Sequence, residues 1–257
     1  MTQRCLKWLS TYTRLAIVTA MLGVSVSATA VETLTPHIAE YKIKVKVLSG
    51  RLNTEVRLTE DGYSAHSVLK AAGFASIFVR GDVIESSTFV TDSDGVRPLR
   101  YASEDRISKE DKFMEFDFDW DRKQVTGSIN DEEVQLPLDG LMHDRVSIQY
   151  ELMLNLLNGT QNDEYLLLDD FESKLLSVSN IGSKTIEVPF GKFEAIGIQH
   201  RKKKSKSDRV TTLWCVAELD YLPVMIEQHR NGKLRVRAVL VEYEPLNMTA
   251  ENQQPGR

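Results

Sequence analysis

The sequence predicts a mostly β protein: a single curved antiparallel sheet, half-barrel or barrel-like, with one main α-helix near 143–158. Three observations predict it. From residue 37 onward, apolar and polar residues alternate with a period of two, the strand period. Turn signals recur between the alternating runs, among them Asp61-Gly62, Asp94-Gly95, Asn130-Asp131, Gly182-Ser183 and Asn231-Gly232. One stretch, "HDRVSIQYELMLNLLNG" (143–159), abandons alternation for helical spacing.

The first 30 residues do not belong to this pattern. Arg4, Lys7 and Arg14 precede the apolar run "LAIVTAMLGVSV" (15–26), and "SATA" ends at Ala30. This is the layout of a secretory signal cut after Ala30. The run falls short of the roughly 20 residues a membrane span needs, so no transmembrane span is expected in the mature chain. Residues 31–246 are expected to form a single antiparallel β domain, and 247–257 a flexible C-terminal tail.

The strands follow in order. "YKIKVKVL" sets Tyr41, Ile43, Val45 and Val47 against Lys42, Lys44 and Lys46, and Ser49-Gly50 is read as the next turn. "RLNTEVRLT" sets Leu52, Val56 and Leu58 against Arg51, Glu55 and Arg57. Further strands are predicted near 62–70, 82–91, 96–105, 123–129, 131–137, 164–179, 183–189, 208–217 and 222–230, with a short helical turn at 71–79. "FMEFDFDWD" sets Phe116, Phe118 and Trp120 against three aspartates, and "KLRVRAVLVEY" closes the domain. Asn231-Gly232, between two alternating runs, is the strongest hairpin signal.

In the helix, Val146, Tyr150, Met153, Leu154 and Leu157 make one apolar stripe, and Ile148, Leu152 and Leu156 a second. A helix so widely apolar should be largely buried. Asp144 is read as its N-cap and Gly159 as its stop. Ten or more strands at about 4.8 Å make a sheet about 50 Å wide, whereas a 15-residue helix is only about 22 Å long. One helix cannot cover that surface, so the sheet must curl, split into layers or keep a cavity.

Charge and motifs exclude several functions. Removing residues 1–30 takes three bases and no acid, so the net charge moves from −5 to −8. An acidic chain is poorly suited to general nucleic-acid binding. Cys215 stands alone after Cys5 leaves with the signal, so no disulfide and no zinc spacing is expected. Asp117, Asp119 and Asp121 open like a calcium loop, but Arg122 and Ser128 occupy the positions that need Gly and Glu. "SVLK" (67–70) has nucleophile–base spacing, but it lies in a predicted strand, where residues three apart face opposite ways. No catalytic residue, metal site or cofactor is expected.

Four stretches in order carry a resemblance. They are "AEYKIKVKVLSGRL"; the helix with Asp144 and Tyr150; "TIEVPFGKFEAIGIQH" with Pro189 and Gly191; and "LWCVAELDYLPVMIEQHRNGK" with Trp214 and Pro223. Together they resemble the exported bacterial family catalogued as domain of unknown function 3108, over roughly 35–245. The resemblance implies a periplasmic envelope protein on a curved antiparallel sheet. It supplies no catalytic residues. The shape it implies is similar to that of outer-membrane lipoprotein carriers, which shield lipid in a half-closed barrel.

The expected function is therefore non-enzymatic: binding of a lipid-like apolar ligand, or of an envelope partner, on the concave face. Two alternatives stay open, an assembly factor with a filled core and a hydrolase of envelope polymers. The basic run "HRKKKSKSDRV" (200–210) reads first as a solvated hairpin tip. The second reading has Arg201, Lys202, Lys203, Lys204 and Lys206 touching an anionic surface.

Overall fold

The computed structural model describes residues 33–247 except 78, 80, 161 and 204–207. The proposed signal at 1–30, Lys204, Lys206 and most of the expected tail lie outside the described residues. Among the described residues, fifteen strands form one sheet in the order β8-β7-β6-β5-β4-β3-β2-β1-β15-β14-β13-β12-β11-β10-β9. The first half is β1 (His37–Val45), β2 (Leu48–Thr59), β3 (Gly62–Ala72), β4 (Asp82–Asp92), β5 (Gly95–Asp105), β6 (Lys112–Asp119), β7 (Gln124–Ile129) and β8 (Glu132–Pro137). After β9 (Met142–His143) comes the helix α1 (Ser147–Leu157). The second half is β10 (Glu164–Asp169), β11 (Glu172–Val188), β12 (Gly191–Lys202), β13 (Val210–Val216), β14 (Leu222–Arg230) and β15 (Lys233–Pro245). All pairings are antiparallel except β9 with β10, which is parallel.

Fifteen strands laid flat would span about 70 Å, and α1 is only about 16 Å long. The sheet therefore rolls. Its end strands β8 and β9 do not pair with each other, so the roll is not closed into a barrel. Its two ends still meet through side chains. β10 is buried on both faces: Tyr165 and Leu167 pack with Leu152 of α1, while Leu166 and Leu168 pack against Tyr101, Phe116, Phe118 and Val134 of the other end.

Inside the roll, α1 sends Tyr150, Met153 and Leu154 into the largest apolar cluster, with Tyr41, Phe89, Val96, Val224 and Leu240. Phe89 stacks on both Tyr63 and Tyr150, with ring centroids 5.4 and 5.3 Å away. The helix starts four residues later than the spacing predicts. Residues 143–146 instead form a turn held by Asp144, whose Oδ1 accepts the N–H groups of Val146 and Ser147 at 2.7 and 2.8 Å.

Three sequence expectations are corrected. The turn after β1 is Lys46-Val47, not Ser49-Gly50; Lys46 adopts a left-handed φ of 55° and Val47 is 95% exposed. Gly50 sits inside β2, where a Cβ would meet the Lys70 carbonyl oxygen at 2.9 Å, so its glycine serves close strand approach. The strands expected at 164–179 and 183–189 are instead 164–169 and 172–188. Asp170, at φ 60°, makes the turn, and the Asn180–Ser183 segment is a bulge within one long strand. Asn231 and Gly232 both have positive φ, 52° and 65°, as a two-residue type I′ hairpin requires.

Candidate functional site: a basic, apolar-floored cavity

The second apolar stripe of α1 does not enter the main core. Arg145, Ile148, Gln149 and Leu152 recur at helical spacing and line a cavity of 680 Å3 between the helix and β10–β14. The strand register explains the opposite wall. Leu167 pairs with Lys174, Leu176 with Lys202, Val178 with His200, His200 with Thr211, and Thr211 with Gln228. Paired residues share a face, so these side chains turn together toward α1. The floor is Leu152, Leu167, Leu176 and Leu213, each at most 8% exposed.

The mouth is basic. Among the described residues, six Lys and Arg line the cavity, with one carboxylate, Asp169. Lys174 donates to Asp169 Oδ2 at 2.7 Å, and Lys202 donates to the same oxygen. Arg145 reaches Asp170 at 2.8 Å and Asp169 at 3.4 Å. Glu172 pairs with Lys174 at 3.0 Å. Even with these neighbours counted, bases outnumber acids, so the mouth carries positive charge.

Burial pushes the Asp169 carboxyl up, but the two lysine hydrogen bonds outweigh it and hold it at about 2. Burial pushes His200 down to about 4, so it is a neutral wall residue at pH 7. The positive charge therefore belongs to Lys and Arg.

The basic run is thus split by the fold. His200, Arg201, Lys202 and Arg209 line the cavity, while Lys203 pairs with Glu164 outside it. The structural motif residues lie elsewhere. Asp144 is fully buried and also accepts the Ser87 hydroxyl at 2.7 Å. Tyr150 is in the main core, and Pro189 and Gly191 border the β11–β12 turn. Trp214 lies under Lys184 at 3.8 Å and donates to Glu227 at 3.3 Å, while Pro223 pairs with Cys215 at a bulge.

The cavity could not be assembled from local sequence motifs. Arg145, Lys174, Arg209 and Arg230 are far apart in the chain, and only the register of five strands unites them. The usable signal was the second helical stripe, Ile148 and Leu152, which needed a surface to face.

Other reactive-looking groups are enclosed. Burial pushes the Cys215 thiol up to about 12 and lowers His143 to about 3, which disarms the first as a nucleophile and the second as a base. Among the described residues, no three of His, Cys, Asp and Glu gather as a metal cluster. Among those residues, too, no helix is long and apolar enough to cross a membrane.

The family model for the protein of unknown function DUF3108 matches residues 37–238. The chain belongs to this family. No curated protein matches it by sequence. A solved structure with this fold is the β-barrel-like protein of domain of unknown function DUF1849 from Brucella abortus. It is 15% identical, with a TM-score of 0.51, covering 85% of this chain and all of that one. A protein from Bacteroides fragilis described as exported, with a YmcC-like fold, aligns at 13% identity and a TM-score of 0.33, over 83% of this chain and 97% of that one. Only the first bears on the fold, and it supports the rolled, barrel-like sheet of this DUF3108 member.

Proposed function

We propose that this protein is a non-enzymatic, exported binder of an anionic amphiphile, held in the cavity between α1 and β10–β14. One observation carries the reading: four buried leucines form a floor beneath a mouth lined by six bases. An apolar tail gains by leaving water for such a floor, and a phosphate or carboxylate head meets charge-assisted donors at the rim. The 680 Å3 volume falls within the usual range of roughly 300–1,000 Å3 for small-molecule sites. Export rests on the signal-like N-terminus, and a periplasmic envelope location would follow from it.

The test is calorimetric titration with dodecyl phosphate, kept below its micelle concentration, against uncharged dodecyl maltoside. Saturable binding of the phosphate is expected, at least tenfold tighter than that of the maltoside. Leu213→Trp, which fills the floor, should abolish it. No binding, or equal binding by Leu213→Trp, contradicts the reading.

A further inference from the structure

Strand direction places alternate turns of an antiparallel sheet at the same end. The β1–β2 and β14–β15 turns, residues 73–77 after β3, and the facing ends of β12 and β13 therefore share the end of the roll where the cavity opens. They are also neighbours, because the strand order runs β4-β3-β2-β1-β15-β14-β13-β12. This end has an unusual surface. Of the twelve large apolar residues exposed among the described residues, eight lie at this end. Val47 is 95% exposed, Phe74 77% and Ile77 63%; Leu48 and Leu234 are also open to solvent. Phe74 and Ile77 sit on a short 3-10 turn, Gly73–Ile77, that packs beside β2.

Bases surround these apolar tips. Lys46 follows β1, and Arg230, Lys233 and Arg235 flank the β14–β15 turn. A second, shallow basic depression of 440 Å3 joins Lys46 and Arg235 to Arg209, Gln228 and Arg230. The last three also line the main cavity. The basic collar and the cavity mouth are therefore continuous, and Val47, Leu48 and Leu234 adjoin the collar in sequence.

We infer that this end of the roll docks on an anionic lipid surface, with Val47 and Ile77 entering the acyl boundary and the collar facing the headgroups. Isolated exposed apolar side chains are ordinary, but a cluster ringed by Lys and Arg is the pattern of an interfacial anchor. Each base near an anionic membrane is worth about fivefold in affinity. Docking presents the cavity mouth to the bilayer, yet it stands whether or not the cavity takes a ligand.

The test is cosedimentation of the full chain with neutral phosphatidylcholine vesicles and with vesicles containing 30% phosphatidylglycerol. Residues 1–30 are present in every variant, so differences between variants belong to the rim. Binding to the anionic vesicles is expected to be at least tenfold tighter than to neutral ones. Val47→Asp/Ile77→Asp should weaken it at least tenfold. Lys233→Gln/Arg235→Gln should weaken it and flatten its salt dependence, with an unchanged unfolding midpoint in both. Leu213→Trp should leave vesicle binding intact, which separates docking from cavity filling. Wild-type affinity in both rim variants, or equal affinity for the two vesicles, overturns the inference.

Discussion

At the residue scale, the most consequential side chain is Asp144. It is fully buried, holds the turn that leads into α1 through the Val146 and Ser147 N–H groups, and accepts the Ser87 hydroxyl, joining that turn to the sheet. Asp144→Ala should cost about 2–4 kcal/mol in urea unfolding, from the lost bonds to the Val146 and Ser147 N–H groups and the stranded Ser87 hydroxyl. Burial raises the carboxyl to about 6 against these hydrogen bonds. The folded state thus holds a proton that the unfolded state has released. This group's contribution is fully present below about pH 4 and lost as pH rises through about 6. Asp144→Asn should keep most of these hydrogen bonds and flatten the stability profile between pH 4 and 6. Gly95 makes a second demand. Its φ is +125°, and a Cβ there would lie 2.5 Å from Glu151 Oε2. That oxygen accepts the Val96 N–H at 2.7 Å. Gly95→Ala should therefore destabilise by more than about 1 kcal/mol, beyond the ordinary glycine-to-alanine effect, as chemical denaturation would read. Asp144 reads as the N-cap in the sequence, but the cap position falls at Val146, and Asp144 acts in the turn just before it. The role of Gly95 was legible only as a turn, because Glu151 lies 56 residues away.

At the element scale, α1 has two working faces. Tyr150, Met153 and Leu154 fix it to the main core, and Ile148 and Leu152 face the cavity. Both stripes were visible in the sequence, and so was the need to bury them. Their different fates were not, since those depend on which strands the roll brings opposite. β12 shows the same limit. Its run of bases looks like one solvated tip, yet strand alternation and pairing turn His200 and Lys202 inward, while Lys203 pairs with Glu164. Two groups on the cavity wall, one on β12 and one on β10, have shifted pKa values. His200 lies at about 4 and Asp169 at about 2, so neither changes charge between pH 5 and 8. Affinity for dodecyl sulfate, whose head keeps a single charge across that range, should therefore not carry the step near pH 6.5 that a titrating histidine would give, as calorimetry across that range would show.

At the scale of the whole molecule, the sheet rolls because its width far exceeds what one helix covers; from the sequence that width allowed curling, splitting into layers or a cavity. The seam was not foreseeable. The residues around 164–189 look like two strands broken at Gly182, and nothing local marks β10 as buried on both faces. Leu168, at 3% exposure, packs with Phe116, Phe118 and Val134 from the far end of the sheet. Leu168→Ala should cost about 2–5 kcal/mol. Faster amide exchange is expected in β9 and β10 than in β1 or β15, since the seam has few ladder bonds to hold it. The roll leaves the cavity open at one end and apolar within, where we propose that an anionic amphiphile sits. Methyl NMR of leucine-labelled protein titrated with dodecyl phosphate tests this most directly. Saturable shifts are expected at Leu152, Leu167, Leu176 and Leu213, with Leu34, Leu222 and Leu240 unmoved. Shifts spread evenly over all leucines, or none at the four floor residues, would contradict the claim.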